Sequence, residues 1–252
     1  MKKLWFIIML VIIFCAMLTG CSRDTSAKVD DKGYEDKNYQ VFEADVIESN
    51  NSLLVAPDKD STEFSSSDKI SVGLARAKEL PETIKPGDRV KIYYDGVIAE
   101  SYPAQISADK IEVIGHNQAI DGFFALIDDI YREDIGLNNN ITMIAFNFGN
   151  SDVLSKAEIE TILALAKEEY GLETVQGTFD ELAEQGLIDK ENLYFESGVL
   201  IEIKDAEIDK DKNNITCSIS KWRSGLGAIG WNAEAELKNG KWDITRENFW
   251  IS

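Results

Sequence analysis

The 252-residue sequence predicts a mainly β chain followed by an α+β part: a five-stranded barrel of the OB type, then an α+β domain built on a four-stranded antiparallel meander. Three observations carry this. Between residues 39 and 115, five short β-type runs alternate with turn signals. Between 116 and 186 come an apolar stripe at helical spacing and two helix-start signatures. Beyond 198, apolar and polar residues alternate in successive runs. A period of two marks a half-buried strand and a period near 3.6 an amphipathic helix.

The chain opens on Met1-Lys2-Lys3, then an unbroken apolar run from Leu4 to Leu18. As a helix that run reaches roughly 22 Å, short of a ~30 Å hydrocarbon core. A basic start, a short apolar stretch and small residues after it describe an export signal. Leu18-Thr19-Gly20-Cys21 resembles the lipobox of bacterial lipoproteins, which implies cleavage before Cys21 and lipid on its sulfur. The competing reading is an ordinary signal peptide, residues 1–20, with an accidental cysteine. Two acyl chains on one cysteine anchor stably where one does not, so the expectation is a protein held on the extracytoplasmic face of the cell membrane through Cys21.

Cys15 leaves with the signal, and only Cys217 remains besides Cys21. No internal disulfide can then form, and the exported part must rest on its apolar core. Cys217 alternates with Ile215 and Ile219, which reads as a buried structural thiol rather than a nucleophile. Residues 21–38 are polar and mixed in charge, too poor in apolar side chains to fold, and read as a flexible tether. The formal charge is −19. Such a surface repels nucleic acid and anionic lipid heads, and permits a basic partner without implying one.

The barrel is expected at 39–115. Val41–Ile47 ends at Ser49-Asn50-Asn51, Leu53–Ala56 follows, and a polar loop from Pro57 to Asp68 leads to Ile70–Leu74. Pro86-Gly87 sits where a type II turn places those residues. It opens Val90–Tyr94, which stops at Asp95-Gly96, and Ile106–Ile114 closes the set. Five strands in so short a span describe a small barrel. The stretch Lys85-Pro86-Gly87-Asp88-Arg89-Val90-Lys91-Ile92-Tyr93-Tyr94-Asp95-Gly96, with Glu100-Ser101-Tyr102-Pro103-Ala104-Gln105-Ile106 after it, resembles the YobA-like domain, an uncharacterised domain of small lipoproteins in low-GC Gram-positive bacteria. The resemblance covers roughly residues 40–115. It implies an OB-like fold and an extracytoplasmic home, and brings no ligand, activity or site residues.

The α+β domain is expected at 116–252. Ile120, Phe123, Phe124, Ile127, Ile130 and Tyr131 form a helical stripe, and Ile141–Phe148 reads as a buried strand. Ser155 with Glu158, and Thr178 with Glu181, are capping boxes whose helices close at Gly171 and Gly186. Val199/Ile201/Ile203, Ile215/Cys217/Ile219 and Trp231/Ala233/Ala235/Leu237 alternate with polar partners. Asn239-Gly240 is a two-residue hairpin turn before Trp242-Asp243-Ile244. Helices followed by an antiparallel meander are similar to nuclear-transport-factor-2-like or cystatin-like folds, a likeness of fold that licenses no function.

No motif assembles catalytic chemistry. Gly225–Gly230 matches G-x-G-x-x-G, but a strand follows it where a dinucleotide site needs a helix. Asp209, Asp211 and Asn213 imitate the opening of a calcium loop, yet Asn214 and Ser220 stand where Gly and Glu are needed. They read as a hairpin turn, with weak calcium binding left open. His116 is the only histidine, and a lone imidazole between two domains supports neither a triad nor a multi-histidine metal site. Glu191–Ser197 is close to a viral protease site used in engineered proteins but lies inside a continuous fold pattern. Trp222, Trp231, Trp242 and Trp250 read as core packing rather than a glycan platform. The expectation is therefore a non-enzymatic protein without cofactor or metal that binds an envelope protein, a peptide or a wall component. A carboxylate-pair hydrolase and a structural spacer are the alternatives. The surface predicted for a partner is Tyr94, Asp95, Tyr102 and Pro103, near the turns of the barrel. Tyr supplies apolar area and a hydroxyl at little rotamer cost. The competing reading has these tyrosines plugging the barrel end.

Overall fold

The computed structural model describes residues 38–149, 153–209 and 213–252. The segment expected to act as an export signal, Cys21 and the expected tether up to residue 37 lie outside the described residues, as do 210–212 of the calcium-like loop. Among the described residues no helix is long and apolar enough to cross a membrane.

Strands β1 (Gln40–Ser49), β2 (Ser52–Pro57), β3 (Ile70–Gly73), β4 (Asp88–Tyr94) and β5 (Ala104–His116) close into a barrel in the order β1-β2-β3-β5-β4. Only β3 and β5 run parallel; β4 closes on β1. This is the five-strand Greek-key plan of the OB type. Alternation fills the interior, with Ala44, Val46, Val55, Val72, Val90, Ile92 and Ala108 among its buried residues. Gly87, at φ 85°, makes the turn that Pro86-Gly87 predicts, and Asp88 N–H donates to Lys85 O across it (3.1 Å). A bulge between Val46 and Glu48 shifts the register of β1, so consecutive residues are both buried. Val46 joins the barrel core, while Ile47 lies outside that cluster and is buried where β1 meets the second helix.

The second part holds α1 (Gln118–Arg132), a 3-10 turn (Ile135–Asn138), β6 (Met143–Asn147), α2 (Lys156–Tyr170), β7 (Glu173–Gln176), α3 (Phe179–Glu184), β8 (Gly198–Asp209), β9 (Asn214–Ser224), β10 (Gly227–Lys238) and β11 (Lys241–Ile251). Both capping boxes form. Gly171 ends α2 in the left-handed region, and Asn239-Gly240 turns β10 into β11 with both residues at positive φ. The four-strand meander β8–β11 is antiparallel as expected. The sheet is wider than the meander: its order is β11-β10-β9-β8-β6-β7, with β6 parallel to both β8 and β7. α2 is therefore the crossover of a β-α-β unit, which a helices-then-meander reading does not contain. β7 is short and carries one aliphatic side chain, Val175, so it leaves no alternation to read.

One sheet face packs on α1 and α2 through Ile201, Ile203, Ile215, Ile219 and Trp231 with Phe123 and Ile127. On the other face, Leu182, Ile188, Phe195 and Leu200 form a smaller cluster under α3, with Phe179 edge-on to Trp222. The Gly-rich hexapeptide is a tight hairpin at Gly225-Leu226, entered and left by strands.

β5 runs directly into α1 through His116 and Asn117. Asn117 Oδ1 caps α1 on Ala119 N–H (3.1 Å), and Asn117 Nδ2 donates to Glu158 on α2 (2.6 Å). His116 sets Nδ1 2.7 Å from Asp88 in the barrel and Nε2 2.8 Å from Asp121 on α1. Lys69–Glu160 (2.7 Å) adds an ion pair across the same boundary. The barrel core and the helix-face core are separate clusters joined by these polar contacts and by the burial of Ile47 against α2. A fragment of residues 39–115 is accordingly expected to unfold cooperatively in urea, with a lower midpoint than the full chain because Ile47 loses its cover. A broad, non-cooperative loss of circular dichroism contradicts two self-sufficient cores.

Candidate functional site: the β4–β5 loop of the barrel

The four residues predicted to share an exposed patch do not all face the same way. Tyr94 is a correction. It is only 3% exposed, sits in the barrel core edge-on to Phe42 (5.7 Å), and donates its hydroxyl to Glu63 Oε1 (2.8 Å). Strand parity decides this: Val90, Ile92 and Tyr94 point in, Lys91 and Tyr93 point out. Burial pushes the Tyr94 hydroxyl well above its usual range, and the Glu63 hydrogen bond adds to that. Tyr93, on the outside, donates to Glu112 (3.0 Å) under Lys110.

Asp95, Tyr102 and Pro103 lie in the loop between β4 and β5, where Tyr102 is 69% exposed and Val97, which sequence reasoning passed over, is 67% exposed. Two large apolar side chains this far into solvent need a framework, and the loop has one. Asp95 Oδ1 accepts Val97 N–H (3.1 Å) and Oδ2 accepts Arg76 Nη1 (2.8 Å). Arg76 reaches on to Asp109 of β5 (3.3 Å), tying the loop to the barrel wall. The Arg76 guanidinium and the Val97 amide hold the Asp95 carboxyl below its usual range. Farther on, Ala99 and Gln105 exchange backbone hydrogen bonds (2.8 and 3.2 Å), and Ser101 Oγ donates to Pro103 O (2.7 Å) while accepting from Gln105 Nε2 (3.1 Å). Tyr102 thus rides on a small closed loop whose polar groups bond each other. No local signal marks Arg76 as its support, because 19 residues separate it from Asp95.

Other candidates place differently. Cys217 is buried on the core face of β9, and burial pushes its thiol up to about 12. It is expected to resist Ellman's reagent in the native protein at pH 8 and to react stoichiometrically in guanidinium; rapid native labelling contradicts the placement. Trp231 is buried against Phe249, Trp222 and Trp242 are partly buried against the two cores, and Trp250 is 45% exposed at the sheet edge. A cleft of about 450 Å³ between the barrel and the start of α2 holds Asp58, Asp68, Lys69 and Glu160, whose charges pair with Arg89, Lys156 and each other. A groove of about 440 Å³ crosses the open face of the second sheet, lined by Asp205, Glu207, Glu234 and Glu247 with Asn232 and Thr245. Among the described residues no group of three or more His, Cys, Asp or Glu side chains is set to hold a metal ion.

Residues 41–115, nearly the whole barrel, match the model of a family described as a protein of unknown function, DUF3221. The match covers the stretch in which the sequence resemblance lies and carries no activity or ligand. Neither the curated proteins nor the solved structures yield a match to the chain.

Proposed function

We propose that the chain is a lipid-anchored, extracytoplasmic binding protein whose barrel presents the β4–β5 loop to a protein or peptide partner of the cell envelope. The observation that carries this reading is the exposure of Val97 and Tyr102 on a loop pinned by Asp95, Arg76 and Gln105. A loop already held in one shape loses little entropy when a partner docks. Tyr is a frequent anchor in such contacts because it buries area and keeps a polar tip. Asp95 serves as the loop's pin, and Pro103 as part of its base through the Ser101 bond. Tyr94 belongs to the barrel's interior and is not part of the docking surface.

The anchor rests on the sequence: a basic start, a short apolar run and Leu18-Thr19-Gly20-Cys21. Three variants test the two halves separately. Cys21→Ala is expected to lose incorporation of labelled palmitate; retention of label overturns the anchor. Val97→Asp and Tyr102→Ala are expected to fold with unchanged thermal midpoints, since both side chains are largely exposed, and to lose co-purifying envelope proteins that wild type captures after cross-linking. An unchanged capture profile for both variants overturns the loop as the docking surface.

A further inference from the structure

The edge of the second sheet is a separate surface with its own chemistry. Among the described residues β11 is the last strand in the sheet order and pairs with β10 alone, so one side of its backbone carries a row of amides and carbonyls that no described strand pairs. Proteins shield such edges with charge, bulges or short strands. Here the shielding is uneven. Lys241, Asp243, Arg246 and Glu247 occupy the first part of β11, while Phe249, Trp250 and Ile251 are 53, 45 and 68% exposed in the last part. A register shift opposite Gly230/Asn232, with Asn248 at φ 53°, separates the two parts.

Cross-strand pairing assigns each side chain to a face, since directly opposed residues share one. Asp243, Thr245, Glu247 and Trp250 oppose Glu236, Glu234, Asn232 and Gly230, which places them on the open face, where the acidic groove reaches the edge. Among the described residues lining that groove none is basic. Ile244 and Ile251 oppose Ala235 and Ile229 on the helix-bearing face, and Phe249 stacks on Trp231 there (5.7 Å, 17°). Arg246, on this same face, is already bound to Asp129 (2.5 Å) and Glu133 (2.7 Å) of α1. A strand laid beside β11 therefore meets Asp243 and Glu247 on one face, with Lys238 and Lys241 confined to the turn end and Lys238 already paired with Glu236, and the exposed parts of Ile244, Phe249 and Ile251 on the other.

We infer that β11 is a docking edge for an extended segment of a partner protein in which basic and apolar residues alternate. Backbone hydrogen bonds extend the sheet by one strand; alternate side chains meet Asp243 and Glu247 on one face and Ile244, Phe249 and Ile251 on the other. Lys or Arg beside Trp250 adds a cation–π contact. Charge favours this occupant over a second copy, because a second copy brings its own formal charge of −19 and its own Asp243 and Glu247 to the edge.

The test uses the purified full chain and a fluorescein-labelled nine-residue peptide alternating Lys and Val, followed by anisotropy and Trp emission. The same peptide with N-methylated valines keeps the charge and the apolar surface but loses backbone donors. The inference expects saturable binding of the first peptide, at least ten-fold weaker binding of the second, and at least ten-fold weaker binding by both Phe249→Asp and Glu247→Lys. Phe249→Asp adds negative charge, so non-specific attraction of a cationic peptide predicts tighter binding instead. Circular dichroism of each variant reports that the sheet is intact. Equal affinity for both peptides, undiminished binding by Phe249→Asp, or no binding at all overturns the inference. A wild-type dimer that Phe249→Asp dissociates gives the edge to a second copy, and peptide-independent binding to phosphatidylcholine vesicles that Phe249→Asp abolishes gives it to a lipid surface; either result also overturns the inference.

Discussion

Replacing Lys221 by Met is expected to destabilise the protein by about 2–4 kcal/mol, read as a lower urea midpoint at unchanged slope. Lys221 stands on the core face of β9 and is fully buried. Its ammonium donates to the carbonyls of Tyr131 (3.0 Å), Glu133 and Asp134 (3.2 Å) and to Asn138 Oδ1 (3.2 Å). These acceptors are the last turn of α1 and the 3-10 turn beyond it, where helix carbonyls have no intrahelical partner and carry the negative end of the dipole. Met matches the length of Lys, so the loss comes from the donors rather than from a cavity. Burial pushes the ammonium's pKa from 10.5 down to about 8, against the pull of Asp134 and Glu133. Below pH 8 the lysine is charged in both folded and unfolded chains, and the full cost of burying that charge is present. Between pH 8 and 10.5 the folded chain releases the proton while the unfolded chain keeps it, so this group's contribution to stability rises with pH. The gap between wild type and Lys221→Met is therefore expected to widen across that window. A gap that narrows, or a variant as stable as wild type, contradicts the role given to Lys221.

The second large effect is expected in the barrel. Tyr94→Phe removes one oxygen and almost no volume, yet should cost about 2–3 kcal/mol. Glu63 is only 4% exposed, and its Oε1 accepts from the Tyr94 hydroxyl; Thr62 Oγ1 donates to Oε2 (3.1 Å). Without that hydroxyl a buried carboxylate oxygen loses its donor, which is more expensive than losing both members of a bond. Glu63→Gln, which leaves an amide in place of the carboxylate, is expected to reduce the penalty of Tyr94→Phe when the two are combined. A double variant no better than the sum of the singles shows that the pair is not coupled.

Most of this architecture is legible in the sequence because periodicity survives averaging. The barrel strands show it through inward Val and Ile, and the helices through the two capping boxes at Ser155 and Thr178. The meander shows it through alternation on both sides of Asn239-Gly240. What stays hidden depends on partners far away in the chain. β7 is defined by pairing with β6 across the whole of α2, not by its own residues. Tyr94 and Tyr102 look alike in sequence. One is fixed inside by the parity of β4 and a carboxylate 31 residues earlier, the other stays outside on a loop. Lys221 left a trace: Ile215, Cys217 and Ile219 alternate into it, so parity alone puts a lysine on the core face. Its acceptors, 83 to 90 residues away, leave none. Arg76 and Val97 belong to the same class, ordinary residues given a role by the β4–β5 loop, which Val97 sits on and Arg76 braces from outside.

The central claim, that the β4–β5 loop is the surface this chain offers to its partner, is tested most directly by placing a benzoylphenylalanine photocross-linker at position 102 in the full-length protein and irradiating intact cells. A discrete, reproducible adduct is expected at 102, and it should be lost when Val97→Asp is combined with the probe. A probe at Tyr93, which faces out of the barrel wall beside Glu112 and Lys110, should give no such band. An adduct at 93 and none at 102, or an adduct at 102 that Val97→Asp leaves unchanged, contradicts the assignment of this loop.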